Sequence, residues 1–180
     1  MLGPAEIEFI SRVSIFAAMP DESLQHIAAL AHRVDYDGPT TIFHEGEPAR
    51  EMVVVLSGEL EVRKRGRDGG DARIATLRPG DVAGEMSLID IQPRSAAVRA
   101  LGPSALVVLT HADLASLYRE DPHAYTIFIM NIAREISRRL RRVDGLLANL
   151  LLEVQEVWAH AVDATSSIGI ARRRGGGADT

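Results

Sequence analysis

Hydrophobic positions change their spacing along the 180 residues, and each spacing predicts a different element. In residues 1–31, apolar side chains after Pro20 recur at helical intervals, which predicts short N-terminal helices. From about Arg33 to Leu109, short apolar segments alternate with turns that contain Gly and Pro, such as Pro79-Gly80. Closely spaced turns of this kind predict an all-β sandwich or barrel.

Helical spacing returns at Thr110, where Thr110 and Asp113 form a capping box that predicts a short helix through about Arg119. A second helix start follows at Asp121, which supplies an N-cap, and Pro122, which suits the first helical position. The periodicity persists through residues 122–162, a helix on the order of 60 Å long. Eight apolar positions alternate in steps of four and three, as in a coiled-coil seam: Ile136, Leu140, Val143, Leu147, Leu150, Val154, Val157 and Ala161. We therefore expect a homodimer through residues 136–161. The alternative is that the helix folds back on its own barrel.

Composition narrows the class of protein. Residues 163–180 are rich in Ser, Gly and Arg without periodicity, so we expect a disordered tail. Apolar residues make up 46% of the chain, and no uninterrupted run reaches the roughly 18 residues of a membrane span. The acidic N-terminus does not fit a secretory signal, so we expect a cytoplasmic protein without a membrane segment. The absence of cysteine excludes disulfides and cysteine nucleophiles, and the net charge of −5 does not indicate broad nucleic-acid affinity.

The candidate chemistry lies in residues 84–98, where a carboxylate and a guanidinium flank a short apolar turn. Gly84 lets the backbone begin a turn without a Cβ penalty. Arg94 offers a planar donor fork that matches phosphate oxygens, and Glu85 can accept from a hydroxyl. Three apolar side chains are expected to pin one helical turn to the core: Met86, Leu88 and Ile89. The pair suits a ligand that is both sugar-like and anionic, while the simplest alternative is a salt bridge that holds a turn.

This stretch resembles the phosphate-binding cassette of the cyclic nucleotide-binding domain, which catabolite activator proteins, protein kinase A regulatory subunits and nucleotide-gated channels share. The glycines of Glu45-Gly46, Ser57-Gly58 and Pro79-Gly80-Asp81 follow the family's order, and the resemblance covers about residues 10–140. It implies a mainly β jelly-roll barrel (a double-stranded β-helix) over residues 32–121. N-terminal helices would flank that barrel, and a long C-terminal dimerisation helix would follow it.

By that resemblance, Glu85 would hold the ribose 2′-hydroxyl and Arg94 would hold the cyclic phosphate. Ser95 can add a hydroxyl to the phosphate or the base, and Asp144 on the long helix is a candidate for contacting the base. The expected ligand-binding residues are Gly84, Glu85, Met86, Ser87, Arg94, Ser95, Ala96 and Asp144. Family frequency favours cAMP, with cGMP as the second candidate and a cyclic dinucleotide left open. We expect no cofactor and no metal.

The predicted function is a non-catalytic cyclic nucleotide sensor that signals through its C-terminal helix to a downstream protein that the sequence does not name. Few residues follow that helix, so a helix-turn-helix domain and DNA binding are not expected. The main alternative is a nucleotide-independent dimeric scaffold with a degenerate pocket. Two departures from the family support it: Ala83 stands where an aromatic residue is frequent, and a glycine is common near Ile91.

A third interpretation is a cupin-like metal enzyme. Gly38, His44, Glu51 and Gly58 have the spacing of the first cupin metal motif, but Gly46 stands where that motif has its second histidine. A catalytic transition metal normally needs several His and carboxylate ligands. We therefore expect neither a metal site nor a catalytic residue.

Overall fold

The computed structural model describes residues 1–90 and 92–174, without the side chains of residues 159–174. The chain divides into two compact units, the first covering residues 1–136 and the second beginning at Ser137. The first unit contains the N-terminal helices, all the strands and the beginning of the last helix. The second contains the rest of that helix.

Two short helices and a turn precede the strands: α1 (Pro4–Ser11), a 3-10 turn (Ser14–Phe16) and α2 (Asp21–Leu30). Their apolar side chains enter one core cluster together with residues from the sheets and from the C-terminal helices. Within this cluster the rings of Phe16 and Phe128 lie 5.6 Å apart. The N-terminal segment is therefore packed against the same core as the later helices.

Eight strands form two four-stranded sheets in which every recorded pair is antiparallel. The strands are β1 (His32–Tyr36), β2 (Thr40–Phe43), β3 (Glu51–Ser57), β4 (Leu60–Arg65), β5 (Asp71–Leu77), β6 (Val82–Ala83), β7 (Ala97–Ala100) and β8 (Ser104–Thr110). One sheet has the order β1-β8-β3-β6, and the other has the order β2-β7-β4-β5. This arrangement confirms the predicted β-sandwich class.

The two central strands of the first sheet, β3 and β8, are apolar along almost their whole length because both of their faces are covered. Side chains on one face join the core between the two sheets: Val53, Val55, Leu106 and Val108. Side chains on the other face join the core beneath the helices: Met52, Val54, Val107 and Leu109. A continuous apolar run here marks a strand buried on both sides, since neighbouring side chains point in opposite directions.

Three helices complete the chain: α3 (Ser87–Asp90), α4 (His111–Glu120) and α5 (Pro122–Arg174). At the start of α4, the Thr110 side chain accepts from the Asp113 N–H at 3.2 Å, and the Asp113 carboxylate accepts from the Thr110 N–H at 2.8 Å. At the start of α5, the Asp121 carboxylate accepts from the Ala124 N–H at 2.9 Å and from the hydroxyl of Ser23 at 2.7 Å. Both predicted starts are therefore confirmed, with Pro122 as the first residue of α5.

The end of α5 differs from the prediction. The sequence pattern ended this helix at about residue 162, whereas the helix of the structure continues to Arg174, and residues 175–180 lie outside the described part of the chain. The predicted disorder of the tail from residue 163 stays a prediction. No proline interrupts this segment, and an existing helix grows by one hydrogen bond per residue without a new nucleation step. None of the described helices is long and apolar enough to cross a membrane.

The second unit exposes a row of apolar side chains along α5. Members of the predicted seam from Leu140 to Val157 are between 45% and 68% exposed in the single chain. Ala161 lies where the structure does not describe side chains, and Ile136 packs partly against the helical core of the first unit. The homodimer through these residues stays a prediction.

Candidate functional site

The candidate site begins at the end of β6, where Gly84 has a φ of +81°. A Cβ at this position would overlap the Arg94 guanidinium and would lie 2.8 Å from the carbonyl oxygen of Glu51. Only glycine combines this left-handed backbone with so close an approach. The glycine that the sequence singled out therefore lies directly beside the predicted phosphate-binding arginine.

The short helix α3 follows Gly84, and the Ser87 hydroxyl donates to the Gly84 carbonyl at 2.7 Å. Ser87 is buried, and Leu88 packs against the helical core as predicted. The predicted burial of Met86 and Ile89 is wrong, because these side chains are 46% and 47% exposed. The four-residue helix α3 turns the buried Ser87 and the partly buried Leu88 toward the protein, while Ile89 and the preceding Met86 point to solvent.

Arg94 is almost completely buried, with 7% of its surface exposed. Its Nη1 donates to the Glu51 carbonyl at 2.7 Å, and its Cζ lies 3.5 Å from the centroid of the Phe43 ring, in cation–π contact. Its Nε is buried and has no hydrogen-bond acceptor among the described residues. Burial lowers the pKa of Arg94, while the carboxylates of Glu51, Glu47 and Glu85 oppose that shift. The side chain therefore presents a buried cation whose Nε donor lacks an acceptor among the described residues.

Glu85 is also buried, with 2% of its surface exposed. Its negative charge acts on Arg94, although the hydrogen bond from Arg94 Nη1 goes to the backbone of Glu51. The structure thus places the two predicted anchor residues in one electrostatic environment. Their proposed roles toward a ligand stay predictions.

The cassette ends beside the loop between β2 and β3. The Arg94 N–H donates to the Glu47 carbonyl, and the Gly46 N–H donates to the Arg94 carbonyl, each at 2.9 Å. Ser95 is exposed and Ala96 is half-buried, and β7 begins directly after them. The structure therefore brings Gly84 and Glu85 to Arg94, while Met86, Ser87, Ser95 and Ala96 flank these residues along the chain.

Three groups at this site had no counterpart among the predicted residues: the Phe43 ring, the Glu51 carbonyl and the backbone of residues 46–47. Each lies more than 40 residues from Arg94 along the chain. The sequence marked Gly46 only as a turn glycine and Glu51 only as part of the cupin-like spacing, while Phe43 is marked by its position at the end of β2. Which side chain an arginine stacks on is decided by strand pairing, which the sequence does not display directly.

The remaining predicted positions lie elsewhere. Asp144 belongs to the second unit, where it is exposed, and its contact with a base stays a prediction. Ile91 lies outside the described residues. Ala83 is buried in β6, where it pairs with Val53 and joins the core between the sheets. A small side chain at position 83 thus serves sandwich packing.

The cupin-like spacing does not assemble a metal site in the described part of the chain. His44 is exposed, and its N–H donates to the Glu47 carboxylate at 2.9 Å. Among the described residues, no group of three or more His, Asp or Glu side chains is arranged to hold a metal ion.

Comparisons with known proteins agree with this geometry. The family model of the cyclic nucleotide-binding domain matches residues 33–121. A CRP-like cAMP-activated global transcriptional regulator of Mycobacterium tuberculosis is 26% identical over 144 residues, which cover 80% of this chain and 62% of the regulator. The chain thus spans less than two thirds of the length of that relative.

Two solved structures extend the likeness. The N-terminal domain of a transcriptional regulator from Streptomyces coelicolor A3(2) is 30% identical, with a TM-score of 0.66 over 73% of this chain and 94% of that domain. The Thermus thermophilus catabolite activator protein is 29% identical, with a TM-score of 0.67 over 76% of this chain and 62% of that protein. The segment that begins at Gly84, the two-sheet sandwich and these matches agree. The chain therefore belongs to the cyclic nucleotide-binding domain family.

Proposed function

We propose that the chain is a non-catalytic sensor that binds a cyclic nucleotide in the segment from Gly84 to Ala96. The observation that carries this proposal is the buried Arg94 guanidinium, whose Nε has no acceptor among the described residues. A buried donor without an acceptor costs about 1–3 kcal/mol, and a hydrogen bond to a charged group contributes about 1.5–3 kcal/mol. A phosphate at this position would remove the first cost and gain the second.

The neighbouring groups suit the rest of such a ligand. Glu85 supplies a buried carboxylate that can accept from a ribose hydroxyl. Ser95 supplies an exposed hydroxyl one residue after the arginine. A cyclic nucleotide carries both a sugar hydroxyl and an anionic phosphate on one rigid ring system, which matches a carboxylate and a guanidinium in one short segment. We propose cAMP as the ligand, since several relatives are named as cAMP-activated regulators.

The helix α3 would couple ligand binding to the packing of α5. Leu88 packs against a core cluster that also contains Phe128 and Ile132 from the beginning of α5. A ligand that orders residues 84–95 would therefore act on the packing of α5 within the first unit. Such a ligand shifts a conformational equilibrium only if it binds one packing arrangement more tightly than the other.

Two finer features belong to the same proposal. The strand orders β1-β8-β3-β6 and β2-β7-β4-β5 support the interpretation of the sandwich as a jelly roll, a fold of eight strands in two sheets. The exposed apolar seam of α5 supports a homodimer, because such a row of side chains loses its contact with water when it packs against a second copy. The sensor would then act as a dimer on a separate protein.

The experiment is a calorimetric titration of nucleotide-stripped protein with cAMP and with cGMP. Arg94→Ala is compared with Arg99→Ala, which removes the same charge from the exposed side of β7. We expect one nucleotide per chain in the wild type and in Arg99→Ala, and at least about tenfold weaker binding in Arg94→Ala, the equivalent of a lost charged hydrogen bond. Equal affinities in the two variants would remove the site assignment. No binding by any of the three proteins would favour the scaffold.

A further inference from the structure

The end of the cassette is held in place from outside the cassette. Arg94 uses both of its backbone hydrogen-bonding groups on the loop between β2 and β3: its N–H bonds the Glu47 carbonyl, and its carbonyl bonds the Gly46 N–H, each at 2.9 Å. The position of the Arg94 backbone therefore depends on where this loop lies. Because the guanidinium is buried and stacked on Phe43, a shift of the backbone moves its donors as well.

The loop is in turn held by its own carboxylates. Glu47 accepts from the His44 N–H at 2.9 Å, which closes the turn on itself. Glu45 accepts from two donors on β4, the Lys64 ammonium at 2.7 Å and the Arg65 N–H at 2.9 Å. These hydrogen bonds and the neighbouring ammonium lower the pKa of Glu45, so the carboxylate is charged at neutral pH. The loop is thereby tied to β4.

Lys64 connects this loop with the cassette. Besides Glu45, its ammonium donates to the carbonyl of Ser95 at 2.5 Å. Ser95 directly follows Arg94, the proposed phosphate-binding residue. Two residues after Ser95, Ala97 of β7 pairs with Arg63 of β4. One side chain on β4 thus touches both the loop that holds Arg94 and the residue that follows it.

We propose that Lys64 and Glu45 are positioning residues that hold the Arg94–Ser95 end of the cassette in its binding geometry. The expected effect of these residues on nucleotide affinity rests on the proposed function. The contacts themselves can be tested without a nucleotide. Neither side chain is assigned any contact with the ligand, and their effect passes through the backbone of residues 46–47 and 94–95.

The alternative is that Lys64 acts only by attracting an anionic ligand over a distance. Arg67 provides the control, because it lies on the same β4–β5 hairpin, is exposed and has no hydrogen bond or ion pair recorded among the described residues. Lys64→Met and Arg67→Met remove the same charge from neighbouring positions. Only Lys64→Met removes the connection between Glu45 and Ser95.

The experiment measures amide hydrogen exchange by NMR in ligand-free wild type, Lys64→Met, Glu45→Gln and Arg67→Met, followed by titration of each with cAMP. We expect the Gly46 and Arg94 amides to exchange several-fold faster in Lys64→Met and Glu45→Gln, with an unchanged melting temperature. Affinity should fall by about two- to fivefold, because partly exposed ion pairs contribute little. Arg67→Met should match the wild type in both measurements.

The two proposals fail in different ways. Unchanged exchange at these two amides in Lys64→Met would overturn the positioning role, whatever the affinity. Faster exchange with unchanged affinity would also overturn it, since the held geometry would then not matter for binding. An equal loss of affinity in Arg67→Met would assign the effect to distant charge. Absence of binding by the wild type would contradict the proposed function, while the exchange result would still decide whether Lys64 holds the cassette.

Discussion

The replacement Gly84→Ala tests how closely the cassette backbone approaches the arginine. Gly84 and Gly80 both have a left-handed backbone, with φ of +81° and +94°. A Cβ at Gly80 meets no atom within 4 Å, whereas a Cβ at Gly84 overlaps the Arg94 guanidinium and lies 2.8 Å from the Glu51 carbonyl oxygen. Gly80→Ala therefore reproduces the backbone cost of Gly84→Ala without the overlap.

The two costs can be estimated separately. The left-handed backbone costs a residue with a Cβ roughly 1–2 kcal/mol, and we expect this loss of stability in Gly80→Ala with unchanged nucleotide affinity. In Gly84→Ala the guanidinium must move, which also disturbs its cation–π contact and its charged hydrogen bond to Glu51. The total loss of stability should then reach roughly 3 kcal/mol or more. Affinity for the nucleotide should fall at least about tenfold, since the displaced guanidinium is the proposed phosphate ligand.

Urea denaturation of both variants gives the stability difference, and calorimetric titration gives the affinity difference. Equal destabilisation of Gly80→Ala and Gly84→Ala would refute the argument from the close approach. A strongly destabilised Gly84→Ala that kept full affinity would show that the position of the guanidinium does not matter for binding.

Three further predictions concern the helices. Hydrogen bonds lower the pKa of Asp121 below its ordinary value of 3.8, so its charged form stabilises the folded state above that pH, and this contribution disappears as the pH falls through the folded-state pKa. Thermal melts of wild type and Asp121→Asn should therefore differ in stability at pH 7. This difference should disappear below pH 3.8. Leu150→Glu should convert the dimer to a monomer in analytical ultracentrifugation, whereas Leu152→Glu, an equally exposed leucine off the seam, should leave it a dimer; dissociation by both or by neither would contradict the seam. Asn131→Leu removes two hydrogen bonds to backbone carbonyls of the N-terminal segment, so it should destabilise the chain by about 1–3 kcal/mol in urea titrations. An unchanged midpoint of urea denaturation would show that these hydrogen bonds do not hold the segment.

Local signals predicted local features well. Thr110 with Asp113, and Asp121 with Pro122, mark helix starts by hydrogen bonds that span only three residues, and both appear in the structure. The turn glycines marked the strand boundaries for the same reason. The helix continues past the predicted end at residue 162. Composition describes what a segment prefers in isolation, whereas a helix that already exists can extend into the residues that follow it.

The candidate site was predictable only in part. The order of Gly84, Glu85 and Arg94 along the chain pointed to the segment, and the structure shows that Gly84 lies against Arg94. The burial of Arg94 on Phe43 and its bond to Glu51 depend on contacts between distant strands. Burial was overestimated for Ile89 in α3 and for Met86 just before it, since a one-turn helix lacks a second turn to define a continuous buried face.

The most direct test of the central claim is a crystal structure of the chain saturated with cAMP. The account predicts the cyclic phosphate within hydrogen-bond distance of the Arg94 guanidinium, including its Nε, and the ribose hydroxyl at the carboxylate of Glu85. A nucleotide bound elsewhere on the chain, or one in this pocket whose phosphate does not contact Arg94, would contradict it.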